Sequence, residues 1–374
     1  MASPAQRLEI YCTSIPMRGF QHAAASRDAA EAVVVRLELT DGCVGWGETL
    51  PRPYVTGETI ESVAHDLAET IWPACRAVGV EYPDATSAIP ARAADGRCIN
   101  AAACAMELAM LDAAGYRPSR TVRRIAARVS GVLGSSDPDR TARQFRRMRW
   151  FGLRDFKLKL GFEPDVDAAN LRTVHARLGK AIARGKASLR VDVNGGWDAA
   201  SAPQRVAELV RYGVCVVEQP VYCEAEELLE LAESCRLPLM ADESLLREVD
   251  ARTLLACPRR VWWNVRISKN GGLGRAADLA RLAAQNDVPF TVGCMVGESS
   301  LLSAAQRLLL ARGPQPRFVE GNYGRFLLSD DLTARSLRIG FAGRLGMPAG
   351  LGLGVRVDPA KMLRYGTRLA TLWS

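Results

Sequence analysis

The chain has 374 residues, 48% of them hydrophobic and 24% charged, which is the composition of a globular protein long enough for two or three domains or one elaborated barrel. Its net charge is +8, but the basic residues are dispersed and are not interleaved with aromatic residues, so we expect no nucleic-acid partner. No apolar run reaches membrane-spanning length, and we recognise no signal peptide. Ten scattered cysteines without a CxxC pair therefore predict free thiols in a cytoplasmic protein with no membrane partner.

The first part of the chain, residues 1–125, reads as an α+β unit. Strands are predicted at residues 9–12, 32–38 and 43–48, with a hairpin turn at Asp41-Gly42, and helices at residues 58–78 and 101–115. Because its strands come first and its helices follow, this unit is expected to be distinct from the part of the chain in which strands and helices alternate. Residues 14–27 and 50–57 are predicted as long loops that serve either as binding loops or as plain surface excursions.

From residue 126 to 335 strands and helices alternate, which predicts a parallel α/β barrel. Helices such as 165–184, 225–235 and 274–285 separate the strands. The eight predicted strands are residues 127–133, 155–160, 189–193, 215–218, 239–241, 261–267, 290–293 and 318–320. The glycine-rich segment from 336 to 374 is predicted to pack back on the N-terminal unit.

Three consecutive barrel strands end in an acidic residue, namely Asp192, Glu218 and Asp242. Active sites of α/β barrels form where the strands end, so these carboxylates are expected to converge. Converging carboxylates repel one another unless a cation holds them. Hard oxygen ligands on rigid strands suit one Mg²⁺ ion, with Mn²⁺ as a possible substitute.

Two lysines alternate on the second barrel strand, Lys157 and Lys159, in a chain that has only six lysines among 49 basic residues. Alternation places both amines on one side of the strand, facing the barrel mouth. Two cations and a divalent ion close together are expected to lower a lysine pKa, and a neutral amine can remove a proton α to a substrate carboxylate. The alternative is a salt bridge from each lysine to a carboxylate, which is more plausible for Lys157.

In combination, these features resemble the enolase superfamily in its muconate-lactonizing-enzyme-like branch. The resemblance rests on the lysine pair, the three strand-end acids and four short motifs, and it covers nearly the whole chain. The motifs are Gly45-Trp46-Gly47-Glu48, Glu218-Gln219-Pro220, Ala241-Asp242-Glu243-Ser244 and Lys269-Asn270-Gly271-Gly272. The resemblance implies a capping domain over a modified TIM barrel of the (β/α)₇β type.

The resemblance also implies roles for individual residues. Asp192, Glu218 and Asp242 would bind the metal, and Lys159 would be the acid/base. The residues expected to support the metal ligands or to select the substrate from the capping loops are Asn194, Glu243, Arg18, His22 and Tyr54.

The sixth strand departs from the family pattern, because Arg266 stands where this branch normally has a second lysine. A guanidinium remains protonated and is a poor base, whereas racemisation by two bases needs a proton acceptor on each face. Arg266 therefore favours one-base chemistry, with the guanidinium as a fixed electrostatic partner. Two alternatives stay open: Lys269 reaches in as the missing base of a racemase or epimerase, or Arg266 pairs with Asp242 or Glu243 and leaves the site inert.

Other family variants are less compatible with the sequence. Dipeptide epimerases carry Asp-x-Asp at the eighth strand, where this chain has Glu320-Gly321-Asn322, although Glu320 could still bind a cationic group. No histidine follows His175, which disfavours acid-sugar dehydratases that use a late histidine base. Glu298 is either a supporting acid or a helix N-terminal charge. We therefore predict a Mg²⁺-dependent lyase or isomerase of the cycloisomerase or syn-elimination type that acts on a small carboxylate as a homo-oligomer.

Overall fold

The computed structural model describes residues 3–22, 25–77, 79–80, 84–116 and 124–374; the side chains of residues 19–22, 25–27, 84–85 and 124 lie outside this description. The N-terminal part contains strands β1 to β4 and helices α1 to α4. Their bounds are β1 Ser3–His22, β2 Ala25–Leu39, β3 Val44–Thr49, α1 Pro53–Thr56, α2 Ile60–Asp66, α3 Trp72–Cys75, β4 Gly79–Val80 and α4 Asn100–Ala113. A π-helical turn, Leu67–Ile71, joins α2 to α3, and Asp84–Ala88 form a 3₁₀ turn.

Helix α4 packs very closely on β3, and the two glycines of the Gly45-Trp46-Gly47 motif make this possible. A Cβ atom on Gly47 would lie 1.9 Å from the carbonyl oxygen of Ala105, and one on Gly45 would lie 2.1 Å from that of Ala109. Residues without a side chain are therefore needed where the helix crosses the strand. The buried face of β1 and β2 packs on α4 as one hydrophobic core.

Nine strands and eight helices follow, and strands β6 to β13 among them form the barrel. The strands are β5 Arg124–Arg128, β6 Gly131–Leu133, β7 Asp155–Lys159, β8 Ser188–Asp192, β9 Val214–Glu218, β10 Leu239–Ala241, β11 Val261–Val265, β12 Phe290–Val292 and β13 Phe318–Val319. The helices are α5 Pro138–Trp150, α6 Pro164–Ala183, α7 Ala202–Leu209, α8 Ala225–Ser234, α9 Glu248–Leu254, α10 Leu273–Gln285, α11 Ser300–Arg312 and α12 Gly324–Leu327. Val210–Tyr212 form a further 3₁₀ turn.

Strands β6 to β13 form one parallel sheet in sequential order, and a parallel bridge between Val129 and Val319 joins its two edges. This arrangement confirms the predicted capped barrel. The predicted first strand, residues 127–133, is divided in two, because β5 leaves the barrel to pair with β14, Arg344–Gly346. Helix α13, Pro359–Tyr365, and strand β15, Gly366–Trp373, complete the chain after the 3₁₀ turn Phe341–Gly343.

The C-terminal strand β15 pairs antiparallel with β1 at the edge of the N-terminal sheet, whose order is β15-β1-β2-β3. The domain boundaries at residues 125 and 335 remain predictions. None of the helices in the described ranges combines the length and apolarity needed to cross a bilayer. All ten cysteines are free thiols.

The prediction of a loop at residues 14–27 was wrong. Strands β1 and β2 continue through this region as a paired hairpin, with Ile15 opposite Ala30 and Pro16 opposite Ala29. The register of this pairing shifts between Pro16 and Phe20, which marks an irregularity in the hairpin. In residues 50–57, the structure contains the short helix α1.

Candidate active site

The register of four neighbouring strands, β7 to β10, brings the candidate residues together. Lys159 is opposite Asp192 in the β7–β8 pair, and Asp192 is opposite Glu218 in the β8–β9 pair. Met240 is opposite Glu218 in the next pair, so Asp242 lies just beyond the end of β10. The three acids and the lysine therefore lie side by side at the end of the barrel where its strands terminate, and all three carboxylates are fully buried.

Lys157 connects three carboxylates. Its Nζ lies 2.6 Å from Glu320 Oε2, 3.0 Å from Asp192 Oδ2 and 3.1 Å from Glu218 Oε2. Burial disfavours its charge, but Glu218, Glu320 and Asp192 outweigh burial and raise the pKa of Lys157. For Lys157 the structure therefore shows the salt bridges that the sequence analysis named as the alternative to a lowered pKa.

Lys159 has fewer partners and lies at the edge of an open cleft. Its Nζ donates to Asp192 Oδ2 at 2.6 Å and to Asn194 Oδ1 at 2.7 Å. Burial opposes ionisation of Asp192, but Lys159 and Lys157 outweigh burial and hold the pKa of this carboxyl below its usual range. Asn194 has a left-handed backbone with φ of 50°, and its N–H donates to Asp192 Oδ1 at 3.1 Å, which fixes both groups.

Arg266 lies against two of the candidate metal ligands. Its Nη2 contacts Asp242 Oδ2 and is 3.5 Å from Glu218 Oε1. Its Nη1 is 3.7 Å from the sulfur of Met295, and its Nε has no hydrogen-bond partner among the described residues. Asp242 thus forms the ion pair that the sequence analysis considered as one alternative for Arg266.

Lys269 is turned into the protein. Its Nζ donates to the backbone oxygens of Asp242 and Asn264 at 2.6 and 2.8 Å and to Asp242 Oδ1 at 3.0 Å. The residue is fully buried, and burial followed by the nearby Arg266 lowers its pKa well below the usual value. It does not line the cleft between the barrel mouth and the cap.

Two residues that the sequence analysis missed complete the network. Arg190 Nη2 donates to Glu320 Oε1 at 2.7 Å, and Asn264 Nδ2 donates to Glu218 Oε1 at 2.8 Å. Arg190 and Lys157 together lower the pKa of Glu320 to about 2 despite its burial. A charged residue in the middle of an apolar barrel strand was the available signal for Arg190, because such a residue requires a buried partner.

Glu243 and Glu298 border the same cleft. Burial, followed by repulsion from Asp192, raises the pKa of Glu243 to about 7, and its Oε2 has no partner within the described part of the chain. Glu298 Oε1 accepts a hydrogen bond from the N–H of Met295 at 2.6 Å, and burial raises the pKa of Glu298 to about 8.

The cleft encloses about 750 Å³ including its open mouth. Its lining includes Lys157, Lys159, Asn194, Glu243, Arg266, Glu298, Glu320 and, from the cap, Tyr54. Arg18 is exposed on β1 and is absent from the described lining of the cleft. The side chain of His22 lies outside the described residues.

The donor set fits Mg²⁺ chemically, since Asp192, Glu218 and Asp242 offer hard carboxylate oxygens from three rigid strands. In this structure, the cationic side chains of Lys157, Lys159, Arg266 and Lys269 contact those oxygens. Within the described ranges, no three histidine, cysteine or acidic side chains are grouped so that they could hold a metal ion.

Comparison with known proteins places this geometry in a family context. The family described as "Enolase C-terminal domain-like" matches residues 140–361, and "Mandelate racemase / muconate lactonizing enzyme, N-terminal domain" matches residues 6–124. The N-succinyl-L-Arg/Lys racemase of Bacillus cereus is 28% identical over 80% of this chain and 81% of its own length. Muconate cycloisomerase 1-2 of Acinetobacter lwoffii is 27% identical over 97% and 96%. The crystal structure of muconate lactonizing enzyme from Pseudomonas fluorescens complexed with muconolactone is 26% identical, with a TM-score of 0.83 over 98% of this chain and 100% of that one.

Proposed function

The chain belongs to the mandelate racemase/muconate lactonizing enzyme family of the enolase superfamily, and from that premise we propose that it transfers a proton at the carbon α to a substrate carboxylate. The observation that carries this proposal is the position of Lys159. Its amine lies at the edge of the cleft and is held by Asp192 and Asn194 at 2.6 and 2.7 Å. A base held in a fixed position beside an open cleft can meet a reacting carbon in one geometry.

The proposed reaction is a cycloisomerisation or a syn elimination that passes through an enediolate intermediate. Neutral Lys159 accepts the α-proton and becomes an ammonium group, and in the reverse direction that ammonium group returns the proton to carbon. When bound by Asp192, Glu218 and Asp242, Mg²⁺ would supply Lewis-acid stabilisation of negative charge on the substrate carboxylate. Family members generally bind Mg²⁺, and Mn²⁺ is a possible substitute.

One-base chemistry is supported by what lies around Lys159. Arg266 lines the cleft, and because its guanidinium stays protonated it can stabilise developing charge but cannot accept a proton. Lys269 donates to two backbone oxygens and is fully buried, so its amine is a poor candidate for a second base. Lys157 is held by three carboxylates, which favours a charged, structural role beside the substrate.

The substrate class that we propose is a small molecule with at least one carboxylate. The cleft presents the cations Lys159 and Arg266 for such a group. Glu320 was predicted as a site for a substrate cation, but Lys157 and Arg190 already contact both of its oxygens. This pairing makes a cationic substrate group less favourable at that position.

A racemase or epimerase is the second candidate, and the similarity to the N-succinyl-L-Arg/Lys racemase favours it. It needs proton transfer on both faces of the α-carbon, so either Lys269 or another group would have to reach the cleft. A third possibility is an inactive homologue that only binds carboxylates, which the Arg266–Asp242 contact favours.

The experiment that separates these candidates is incubation of the Mg²⁺-supplemented protein in D₂O with muconate, N-succinyl amino acids and dipeptides, followed by proton NMR. One-base chemistry predicts a cyclised or eliminated product, with deuterium delivered from one face only. Label at the α-carbon of both enantiomers would establish the racemase, and binding without exchange or turnover would establish the inactive homologue.

We also retain the proposals that the protein works in the cytoplasm and assembles as a homo-oligomer. The ten free thiols support a reducing compartment. Size-exclusion chromatography with light scattering tests the assembly, and a monomer at micromolar concentration would contradict it.

A further inference from the structure

We propose that Arg266 competes with a divalent cation for Asp242 and Glu218, so that the residue at position 266 sets how tightly this chain binds a metal. The inference rests on the part of the proposed function that assigns these carboxylates to Mg²⁺. It goes beyond that function because it gives Arg266 a role before any substrate is bound.

Arg266 contacts two of the candidate metal ligands directly. One guanidinium nitrogen, Nη2, contacts Asp242 Oδ2 and lies 3.5 Å from Glu218 Oε1, and both carboxylates are fully buried. A carboxylate oxygen that accepts from a guanidinium cannot direct the same lone pair at a metal ion. Arg266 must therefore withdraw before both Asp242 and Glu218 can act as metal ligands.

Charge pairing at the barrel mouth also opposes binding of a metal ion while Arg266 stays in place. Each of the four carboxylates there, Asp192, Glu218, Asp242 and Glu320, already pairs with at least one cationic side chain. Adding two further positive charges is unfavourable at low dielectric unless one of the resident cations withdraws.

Arg266 is held by fewer partners than the buried lysines beside it and is therefore the cation that can withdraw. Lys157 has four oxygen partners and Lys269 has three, all within 3.1 Å. Arg266 is less well held, since its Nε has no partner in the described structure and its Nη1 contacts only the weakly accepting sulfur of Met295. The side chain lines the open cleft, into which it can turn. Its contact with Asp242 therefore creates competition and does not block the site permanently.

The test is a titration of the metal-free protein with Mg²⁺ by isothermal calorimetry, repeated with Mn²⁺ by electron paramagnetic resonance. The variants are Arg266→Met, which removes the competing charge, and Arg266→Lys, which keeps a charge with a single compact head group. Arg154→Met, at an exposed arginine on the barrel surface, is the matched control. We expect Arg266→Met to lower the metal Kd at least tenfold, Arg266→Lys to lower it less because a positive charge remains, and Arg154→Met to leave it unchanged.

Additional measurements separate this inference from the proposed function. Adding Asp242→Asn to Arg266→Met should abolish the gained affinity if the metal binds where proposed. Equal Kd values in wild type and both position-266 variants would overturn the competition, while proton exchange on substrate would still support the function. If no variant binds metal, both the competition and the metal assignment are wrong. The proton-exchange assay in D₂O then decides on its own whether Lys159 transfers a proton.

Discussion

The amine of Lys159 donates to Asp192 Oδ2 at 2.6 Å, so the proposed proton carrier is paired directly with a proposed metal ligand. Strand register produces this contact, because the two residues face each other across β7 and β8. A change in the charge of one group therefore changes the electrostatic energy of the other.

Replacing Lys157 with methionine should destabilise the fold. The substitution leaves Asp192, Glu218 and Glu320 without a shared buried cation, and breaking such a pair typically costs about 3–5 kcal/mol. Urea denaturation of Lys157→Met and of the exposed control Lys180→Met measures the difference. A loss below about 1 kcal/mol, the range of surface ion pairs, would contradict the structural role of Lys157.

Adding a methyl group at Gly293 should displace Arg266. A Cβ atom there would lie 2.2 Å from Asn264 Oδ1 and 3.1 Å from Arg266 Cγ, so both side chains must move. We expect Gly293→Ala to reduce the free energy of unfolding by about 1–3 kcal/mol, the usual effect of overpacking. Gly346→Ala is the matched control, because a Cβ at Gly346 meets nothing within 4 Å. Equal denaturation midpoints for the two variants would show that the space beside Arg266 is not tight.

Stability should decrease as the pH rises through the neutral range, and Glu298 should account for part of the decrease. Burial raises the pKa of Glu298 from 4.5 to about 8, so between these values the folded protein binds a proton that the unfolded chain has lost. The contribution of Glu298 is therefore fully present below about pH 4.5 and is lost as the pH rises through about 8, with a slope of up to ~1.4 kcal/mol per pH unit.

Glu298→Gln retains an acceptor for the N–H of Met295 and should flatten the pH dependence of unfolding in this window. Glu233→Gln, at an exposed position on the barrel surface, should leave the wild-type slope unchanged. Superimposable wild-type and Glu298→Gln profiles would mean that Glu298 ionises normally in the folded protein.

Glu48, from the cap, holds the beginning of barrel helix α11. Its Oε1 accepts from the N–H of Ser299 at 3.0 Å, and its Oε2 accepts from the N–H of Leu302 at 3.0 Å and from the Ser299 hydroxyl at 2.8 Å. Glu48→Ala leaves these buried donors unsatisfied, which we expect to cost about 1–3 kcal/mol. Thermal unfolding compared with the exposed control Glu69→Ala tests this, and matching melting temperatures would contradict it.

Much of the fold could be predicted because its signals are local. The apolar strand that ends in Asp192 and the one that ends in Glu218 occur in the structure within a residue of their predicted bounds. The hairpin at residues 14–27 could not be predicted in the same way, because Pro16 locally suggests a break while the pairing of β1 with β2 is a tertiary interaction.

The site was predictable in composition but not in its contacts. The sequence showed Arg266 as a departure from the family pattern. Its contact with Asp242 could not be predicted, because it depends on how the ends of β10 and β11 lie in the folded barrel. The pairing of Arg190 with Glu320 spans 130 residues, and no local pattern specifies such a partner. Strand ends indicate which side chains meet, but the choice of partners follows from packing.

The most direct measurement of the central claim is exchange of the α-proton of a turned-over or bound carboxylate with D₂O, followed by NMR for wild type, Lys159→Ala and the surface control Lys180→Ala. The account predicts rapid exchange with wild type and the control, and a loss of at least ~100-fold with Lys159→Ala, the scale of general acid–base catalysis. Exchange at the wild-type rate in Lys159→Ala would contradict it.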